Sequence, residues 1–207
     1  MSTVTPSSDV LISEVGPRDG LQSVTTIMAT ADKFVWIEAL YAAGLREIEV
    51  ASFVPVSVLP QMADAAAVVQ HALTLPGLTV MALVPNLRGA QAALAAGVHK
   101  LTIPVSASAA HSLANVRRTR EQMVDEVRAI AALRDTHAPQ VKIEAGISTA
   151  FGCTLQGAVP EDDVIWLAEQ VVAAGADDTG LSDTTGMANP AQVRRLSFPP
   201  LQTGVEI

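Results

Sequence analysis

The sequence predicts an α/β fold in which helices cover a parallel sheet of about six strands. Short aliphatic runs alternate along the chain with amphipathic segments. The runs are almost continuously apolar, which is typical of parallel strands buried on both faces. Glycines also recur where helices are expected to end, because Gly44, Gly97 and Gly175 each follow two alanines and precede a strand-like run. These observations indicate repeated strand–helix units, although αβ loops in any α/β fold can carry an Ala-Ala-Gly sequence.

The individual elements follow from the spacing of apolar residues. The predicted strands are residues 10–15, 47–52, 78–84, 98–106, 141–149 and 178–183. The predicted helices are residues 30–43, 61–73, 87–96, 115–136 and 161–174, with a further helix that begins near Pro190. The first helix shows the supporting period, since Phe34, Ile37 and Tyr41 fall on one face while Lys33 and Glu38 fall elsewhere.

Size, net charge and cysteine content exclude several classes of protein. The chain has 207 residues, 49% of them hydrophobic, which is enough for one substantial core. A net charge of −8 argues against nucleic-acid binding and against docking on anionic membranes. One cysteine, Cys153, excludes an internal disulfide framework, and no apolar run of about 18 residues could span a membrane. Because the N-terminus is polar and lacks the features of a signal peptide, we expect a cytoplasmic protein.

Polar side chains follow several of the predicted strands, where the active site of a parallel barrel would lie. The first strand leads to Arg18 and Asp19, and the second carries Glu49. Further polar residues at strand ends are Ser52, Asn86, Ser106, Ser108, Glu144, Ser148, Asp183 and Thr184. We expect the candidate site at this end of the sheet.

The tetrapeptide "PRDG" at residues 17–20 has two interpretations. As a turn, Pro17 presets φ, Asp19 bonds its own backbone and Gly20 adopts a positive φ. As a site, Asp19 would bind a hard divalent cation and Arg18 would stabilise negative charge that develops on a substrate oxygen. The turn-forming pattern of the tetrapeptide favours the first interpretation. The guanidinium of Arg18 beside Asp19 shifts the balance toward a site.

Other candidate residues are less specific. Glu49 lies in an apolar strand, so it needs a partner, and a structural ion pair with Arg18 is as plausible as direct catalysis. His71 and His137 lie near helix ends and are expected to be structural, whereas His111 could touch a ligand. Cys153 has no neighbouring base in the sequence and is expected to pack in a loop. No glycine-rich dinucleotide motif, P-loop or paired-cysteine motif is present.

Four motifs give the chain a resemblance to the hydroxymethylglutaryl-CoA lyase family, whose members are divalent-metal aldol lyases on TIM barrels. They are "EVGPRDGLQ" at residues 14–22, "IEVASF" at 48–53 with "PQM" at 60–62, "VPNLRGAQAALAAG" at 84–97, and "SDTTGMANP" at 182–190. The first motif is specific, whereas "SDTTG" is shared with several relatives. The resemblance therefore implies an incomplete TIM (β/α)8-type barrel with about six βα units.

The resemblance also implies roles for these residues. Asp19 matches the metal ligand of the family, and Arg18 and Glu49 match catalytic residues. The implied substrate contacts come from Arg18, Gln22, Asn86, Asp183 and Thr184. The implied cofactor is Mg²⁺ or Mn²⁺, and the implied partner is an acyl-CoA thioester. The implied reaction is the cleavage of 3-hydroxy-3-methylglutaryl-CoA to acetyl-CoA and acetoacetate, as in leucine degradation. The chain could also form a homo-oligomer.

The chain departs from the family pattern in three places. The family completes its metal site with a His-x-His motif and adds a cysteine loop, both of which would fall after residue 207. The sequence "SVTT" after Gln22 replaces residues expected on the CoA side. Arg117, Arg118 and Arg120 are candidate contacts for the anionic thioester, although an ordinary solvated helix face explains them equally well. We therefore expect a lyase domain at residues 1–196, a tail at 197–207 without family character, and an interruption by truncation or frameshift.

Three alternatives stay open. The chain could act on another 3-hydroxyacyl-CoA as a related aldol lyase or synthase. It could also be an inactive fragment, or a short homologue that a partner chain completes.

Overall fold

The structure, a computed structural model, describes residues 10–197 and contains one parallel sheet with α-helices between its strands. The strands are β1 (Ser13–Glu14), β2 (Glu47–Ser52), β3 (Thr79–Leu83), β4 (Lys100–Ser106), β5 (Lys142–Ser148) and β6 (Asp178–Leu181). The helices are α1 (Thr30–Ala42), α2 (Ala65–Ala72), α3 (Leu87–Ala96), α4 (Ala109–Val116), α5 (Arg120–His137), α6 (Glu161–Ala173) and α7 (Pro190–Ser197). None of the helices in this range is long and apolar enough to cross a membrane.

The strands lie in the sheet in their chain order, from β1 to β6, and every neighbouring pair is parallel. Each strand therefore lies beside the one that precedes it, with the intervening helices on one side. This arrangement is half of a barrel, and it confirms the predicted α/β fold with six strand–helix units. Within residues 10–197, β1 and β6 each pair with one strand only.

The core lies between the sheet and its helices. Alternate residues of β4 and β5 point outward and are fully buried, among them Leu101, Ile103, Ile143 and Ile147. They meet the apolar faces of the surrounding helices in one continuous cluster. The helix residues in this cluster include Ile37, Val68, Ala93, Met123, Val127, Ile130, Val164 and Leu167.

The inner face of the sheet is polar near the strand starts. Lys100 Nζ lies 2.5 Å from Glu144 Oε2 and 3.6 Å from Asp178 Oδ2. Burial opposes the charge on Lys100, but Glu144, Asp178 and Glu47 together raise the pKa of its ammonium group. Carboxylates of β5 and β6 therefore contact this lysine, and the charge of Glu47 on β2 adds to their effect.

The first strand is shorter than predicted. The prediction covered residues 10–15, but the strand is Ser13–Glu14, which lies beside Glu47 and Ile48 of β2. Continuing this register backwards would place Val10 opposite Gly44, which ends the turn after α1 at a φ of 104°. The second strand begins at Glu47, and the side chains of Val10, Leu11 and Ile12 are exposed.

The helix predicted at residues 115–136 is two helices. Helix α4 ends at Arg117, which adopts a left-handed φ of 57°. Helix α5 then begins with a capping box, in which Thr119 Oγ1 accepts from the Gln122 amide and Gln122 Oε1 accepts from the Thr119 amide. The pattern Thr-x-x-Gln is a sequence signal for this start. Likewise, the predicted helix 61–73 begins as a short 3₁₀ turn (Pro60–Met62) before α2.

Lys33 is buried, although it lies outside the face of α1 that carries Phe34, Ile37 and Tyr41. Its ammonium group donates to Asp64 Oδ1 and to the Gln61 carbonyl oxygen, both at 2.6 Å. Thr30 Oγ1 donates to the other oxygen of Asp64 at 2.7 Å. This buried ion pair joins α1 to the start of α2.

The remaining boundaries agree with the predictions to within two residues. Gly44, Gly97 and Gly175 follow helices with φ between 87° and 108°, as expected for left-handed glycines. The tail predicted at residues 197–207 lies outside the described residues, apart from Ser197.

Candidate active site

Arg18 and Asp19 lie in a tight turn directly after β1. Residues Gly16–Gly20 form one π-helical turn, in which the amides of Arg18 and Asp19 both donate to the Val15 carbonyl oxygen. A Cβ at Gly16 would lie 2.8 Å from Glu14 Oε1, which can move aside, and 3.2 Å from the Trp36 ring, so glycine suits this close approach. The turn and site interpretations of this segment are therefore compatible, since the turn presents both charged side chains at the strand end.

Arg18 is held by a buried carboxylate from the neighbouring strand. Its Nε donates to Glu49 Oε2 at 2.5 Å, and its Nη2 also contacts that oxygen. The Glu49 side chain is only 1% exposed. Burial raises the pKa of Glu49, and the Arg18 charge opposes this rise without cancelling it. The expected ion pair is present and fixes the orientation of the guanidinium group.

Asp19 and Gln22 lie on the solvent side of Arg18. Arg18 Nη1 donates to Asp19 Oδ1 at 2.8 Å, and Gln22 Nε2 donates to the same oxygen at 3.0 Å. The Asp19 side chain is 53% exposed. The structure thus brings Arg18, Asp19, Gln22 and Glu49 together in one cluster.

The other predicted substrate contacts also support the backbone of their loops. Asn86 caps α3, because its Oδ1 accepts from the Gly89 amide at 3.0 Å. Asp183 Oδ1 accepts from the amides of Met187 and Ala188 at 2.9 and 3.2 Å. These contacts orient the loops that follow β3 and β6.

Thr149 links three of the loops at the carboxyl end of the sheet. Its amide donates to Thr184 Oγ1 at 2.8 Å, and its own Oγ1 accepts from the Ser108 amide at 3.1 Å. This buried threonine has a φ of 58°, which is unusual for a β-branched residue. The sequence analysis missed Thr149, and no single-residue pattern indicates it.

His111 and Cys153 lie at the same end of the sheet. His111 Nδ1 is 2.8 Å from Ser106 Oγ, and burial lowers the pKa of this imidazole. Cys153 is completely buried in the loop after β5, where it pairs with Gly157. His71 stacks on Phe34 with ring centroids 4.0 Å apart, far along the sequence from these loops. Of the arginines considered for the CoA phosphates, Arg118 pairs with Glu126 and Arg120 with Asp163.

The cluster fits one protein ligand of a divalent cation. Both donors to Asp19 contact Oδ1, so the exposed carboxylate can still bind a hard cation through Oδ2. Glu49 is less suitable because it is buried and paired to Arg18. No group of three or more His, Cys, Asp and Glu side chains in residues 10–197 could hold an ion. Further ligands would have to come from water, from substrate oxygens or from other residues.

Comparison with known proteins relates this arrangement to one family. A family model described as HMGL-like matches residues 9–198. The hydroxymethylglutaryl-CoA lyase of Bacillus subtilis is 38% identical over 184 residues, which are 89% of this chain and 61% of that protein. The 3-hydroxy-3-isohexenylglutaryl-CoA/hydroxymethylglutaryl-CoA lyase of Pseudomonas aeruginosa is 37% identical over 90% of this chain and 62% of its own length.

Solved structures show the same relationship. A hydroxymethylglutaryl-CoA lyase from Acinetobacter baumannii, in complex with coenzyme A and 3-methylmalate, superposes with a TM-score of 0.85. The two are 34% identical, and the match covers 90% of this chain and 60% of that one. The chain therefore spans about three fifths of the length of the relatives that it matches.

Proposed function

Because the chain belongs to the HMGL-like family, we propose that it carries the Arg18-centred part of a divalent-metal-dependent lyase that cleaves 3-hydroxy-3-methylglutaryl-CoA. The products would be acetyl-CoA and acetoacetate. The observation that supports this most directly is the guanidinium of Arg18, which the buried Glu49 holds beside the exposed Asp19.

Arg18 is suited to the step that breaks the carbon–carbon bond. A base removes the proton of the 3-hydroxyl group, a carbonyl forms at C3, and the electrons of the C2–C3 bond move to the thioester. The negative charge then collects on the thioester oxygen, and protonation of the enolate at carbon gives acetyl-CoA. A guanidinium fixed before the reaction stabilises this oxygen without reorganising during the step.

Glu49 acts through Arg18. Its carboxylate occupies Nε and Nη2, so Nη1 is the donor that faces Asp19 and the open end of the sheet. The pair holds the planar group in one orientation, which is the property that distinguishes arginine from lysine at such a site. We therefore propose Glu49 as a positioning residue.

Asp19 would hold the proposed Mg²⁺ or Mn²⁺ ion. When bound, the ion would supply Lewis-acid polarisation and align the substrate oxygens. Gln22 keeps the Asp19 carboxylate in place through its amide. Asn86, Asp183 and Thr184 are proposed substrate contacts on the neighbouring loops.

A related substrate is the second candidate. The P. aeruginosa relative is named for a bulkier 3-hydroxy-3-isohexenylglutaryl thioester as well. In this chain, the segment after Gln22 is uncharged from Ser23 to Ala31. This composition favours a substrate with more apolar surface than the methyl compound carries.

Acetoacetate release by the purified chain tests the proposal. With 3-hydroxy-3-methylglutaryl-CoA and Mg²⁺ or Mn²⁺, we expect measurable turnover, and Arg18→Gln should lower kcat by about 100- to 1000-fold. Asp19→Asn should instead raise the metal concentration that gives half-maximal activity.

Two results would contradict the proposal. Near-normal turnover of Arg18→Gln would remove Arg18 from the chemical step. Complete absence of turnover and of thioester binding by the folded chain would favour the alternative of a non-catalytic fragment.

A further inference from the structure

Strand β6 forms one edge of the sheet and can accept a further strand. Within residues 10–197 it pairs only with β5, so its other side has no strand partner there. Asp178 faces the inside of the half-barrel, where its Oδ2 lies 3.6 Å from Lys100 Nζ. Because side chains alternate along a strand, Thr179 and Leu181 face outward. An edge of this kind readily binds another strand.

A hollow of about 410 Å³ lies beside this edge, between β6 and α7. Its apolar lining comes from Phe151, Leu181, Ala188 and Val193. Thr179 lines it as well, and its Oγ1 is buried without a hydrogen-bond partner among residues 10–197. Buried hydroxyl groups are normally bonded, and protein interiors are closely packed. The surface therefore fits a segment that brings aliphatic side chains and polar backbone groups to the edge.

The sequence that follows α7 has the pattern of such a segment. Residues 201–207 read "LQTGVEI", in which aliphatic or β-branched residues alternate with polar residues and glycine. Strand β4 divides in the same way, since Leu101 and Ile103 are buried on its outer face while Lys100 lies on its inner face. Alternation of this kind is typical of a strand with one apolar face. The apolar set of the segment is Leu201, Thr203, Val205 and Ile207.

The connection from α7 to this segment is like the other connections in the chain. Helix α3 ends at Ala96, and β4 begins at Lys100. Helix α7 ends at Ser197, and Pro199–Pro200 cannot continue it, so a strand that begins at Leu201 would follow after a similar loop. Crossovers from one parallel strand through a helix to the next are right-handed and return the chain to the same sheet.

We propose that residues 201–207 pair with the free edge of β6 as a seventh parallel strand, and that their aliphatic side chains cover the hollow beside α7. Every described strand lies beside the strand that precedes it, and β5 already occupies the other side of β6. The free edge is therefore the place that continues this order. The inference goes beyond the proposed function and does not depend on it.

Hydrogen–deuterium exchange, measured by mass spectrometry of peptides, tests this on the 207-residue chain and on a chain shortened after Pro200. We expect the peptide that contains β6 to exchange about tenfold faster in the shortened chain, because its amides lose partners on one side. The peptide that contains β4 is the internal control, since β4 keeps a neighbouring strand on each side in both chains.

Two point variants of the full chain place the same charge on opposite faces of the segment. Val205→Asp puts a carboxylate against the apolar hollow and should accelerate exchange in β6 as shortening does. Gln202→Asp is the matched control, because it puts the carboxylate on the polar face, and exchange should stay as in the unsubstituted chain. If circular dichroism shows that the shortened chain does not fold, the comparison of these two variants decides.

Three results would overturn the proposal. The first is equal exchange of β6 in the full chain and in a folded shortened chain. The second is an equal effect of Val205→Asp and Gln202→Asp, because the apolar face would then not be the one that covers the hollow. The third is protection of β6 that increases with protein concentration, because a second copy of the chain would then occupy the edge.

Discussion

At the scale of single residues, the Arg18–Glu49 pair is the feature on which the site depends. Glu49 is buried, so its charged form is costly unless a cation stays beside it. Arg18 is that cation, and it also faces the open end of the sheet through Asp19. One contact would therefore serve both stability and the proposed function, and a measurement of unfolding tests the first role without turnover.

Arg18→Gln should destabilise the fold in a pH-dependent way. Burial already raises the pKa of Glu49, and loss of the arginine removes the main effect that opposes this rise. Because the folded pKa exceeds the unfolded value, the destabilisation is largest above the folded pKa and fades as pH falls toward the unfolded value of about 4.3. We expect a loss of about 3 kcal/mol at neutral pH.

Chemical denaturation at several pH values would measure this loss. Asp19→Asn is the control, since Asp19 is exposed and contacts Arg18 from the solvent side. A loss that is the same at pH 5 and pH 8 would contradict a charged, buried Glu49 as its cause.

Sequence alone predicted an ion pair between Arg18 and Glu49 and placed Asp19 beside it, because charged residues in or just after a strand break an otherwise apolar pattern. Lys33 also departs from the apolar pattern of α1, but its burial was not predicted. Its burial depends on Asp64, 31 residues later, and on the carbonyl oxygen of Gln61. Because these partners lie far along the chain, the spacing of apolar residues in α1 does not indicate them.

At the scale of elements, Arg134 and Asp177 connect the end of α5 to the start of the last two strands. Arg134 Nη1 donates to Asp177 Oδ2 at 2.7 Å, and the Ile143 amide donates to the same oxygen at 2.9 Å. Lys142 Nζ reaches Asp177 Oδ1 at 2.8 Å. Burial opposes the charge on Asp177, but these donors hold its pKa below the usual value.

Asp177→Asn should cost about 2 kcal/mol of unfolding free energy at neutral pH, because the largely buried Arg134 loses its charged partner. Since the folded pKa of Asp177 is depressed, its contribution is present above the unfolded pKa and is lost as pH falls through the folded value. The difference from the unsubstituted chain should therefore shrink in acid.

Asp135→Asn is a stringent comparison, because Asp135 contacts the same arginine but is largely exposed. We expect a change within about 0.5 kcal/mol. Equal effects of the two substitutions in thermal unfolding would show that burial does not decide the strength of these ion pairs.

The prediction of an element was accurate where the spacing of apolar residues and a terminal glycine indicated the same boundary. Helix α3 is an example, because its bounds of Leu87–Ala96 match the prediction. It was wrong for the helix at residues 115–136, since the apolar period continues through a break that Arg117 and Thr119 create. It also overestimated β1, whose length is set by where β2 begins and not by the residues of β1.

At the scale of the whole molecule, the sheet of residues 10–197 has two edges, β1 and β6. Exposed edge strands can pair with other chains, and the aliphatic residues Val10, Leu11 and Ile12 lead into one of them. The order of strands was predictable from alternation. The shape of the edges was not, because it depends on pairing between segments far apart in sequence.

We expect the chain to self-associate as its concentration rises, and Leu11→Lys to reduce this association by placing a charge beside β1. Sedimentation velocity over a wide concentration range would measure both effects. Leu113→Lys is the control, because Leu113 is similarly exposed but lies on α4. A chain that stays monomeric throughout, or an equal response of the two variants, would contradict association through this edge.

Hydrogen bonds join the loops at the carboxyl end of the sheet into two groups. The backbone and side chain of Thr149 tie the segments that follow β4, β5 and β6 to one another. A displacement of the segment after β4 or after β6 would break its hydrogen bond to Thr149. The loops after β1 and β2 are joined to each other instead, through Gln61 and Val24. The open end of the half-barrel therefore contains two separately bonded groups of loops, with the loop after β3 between them in the strand order.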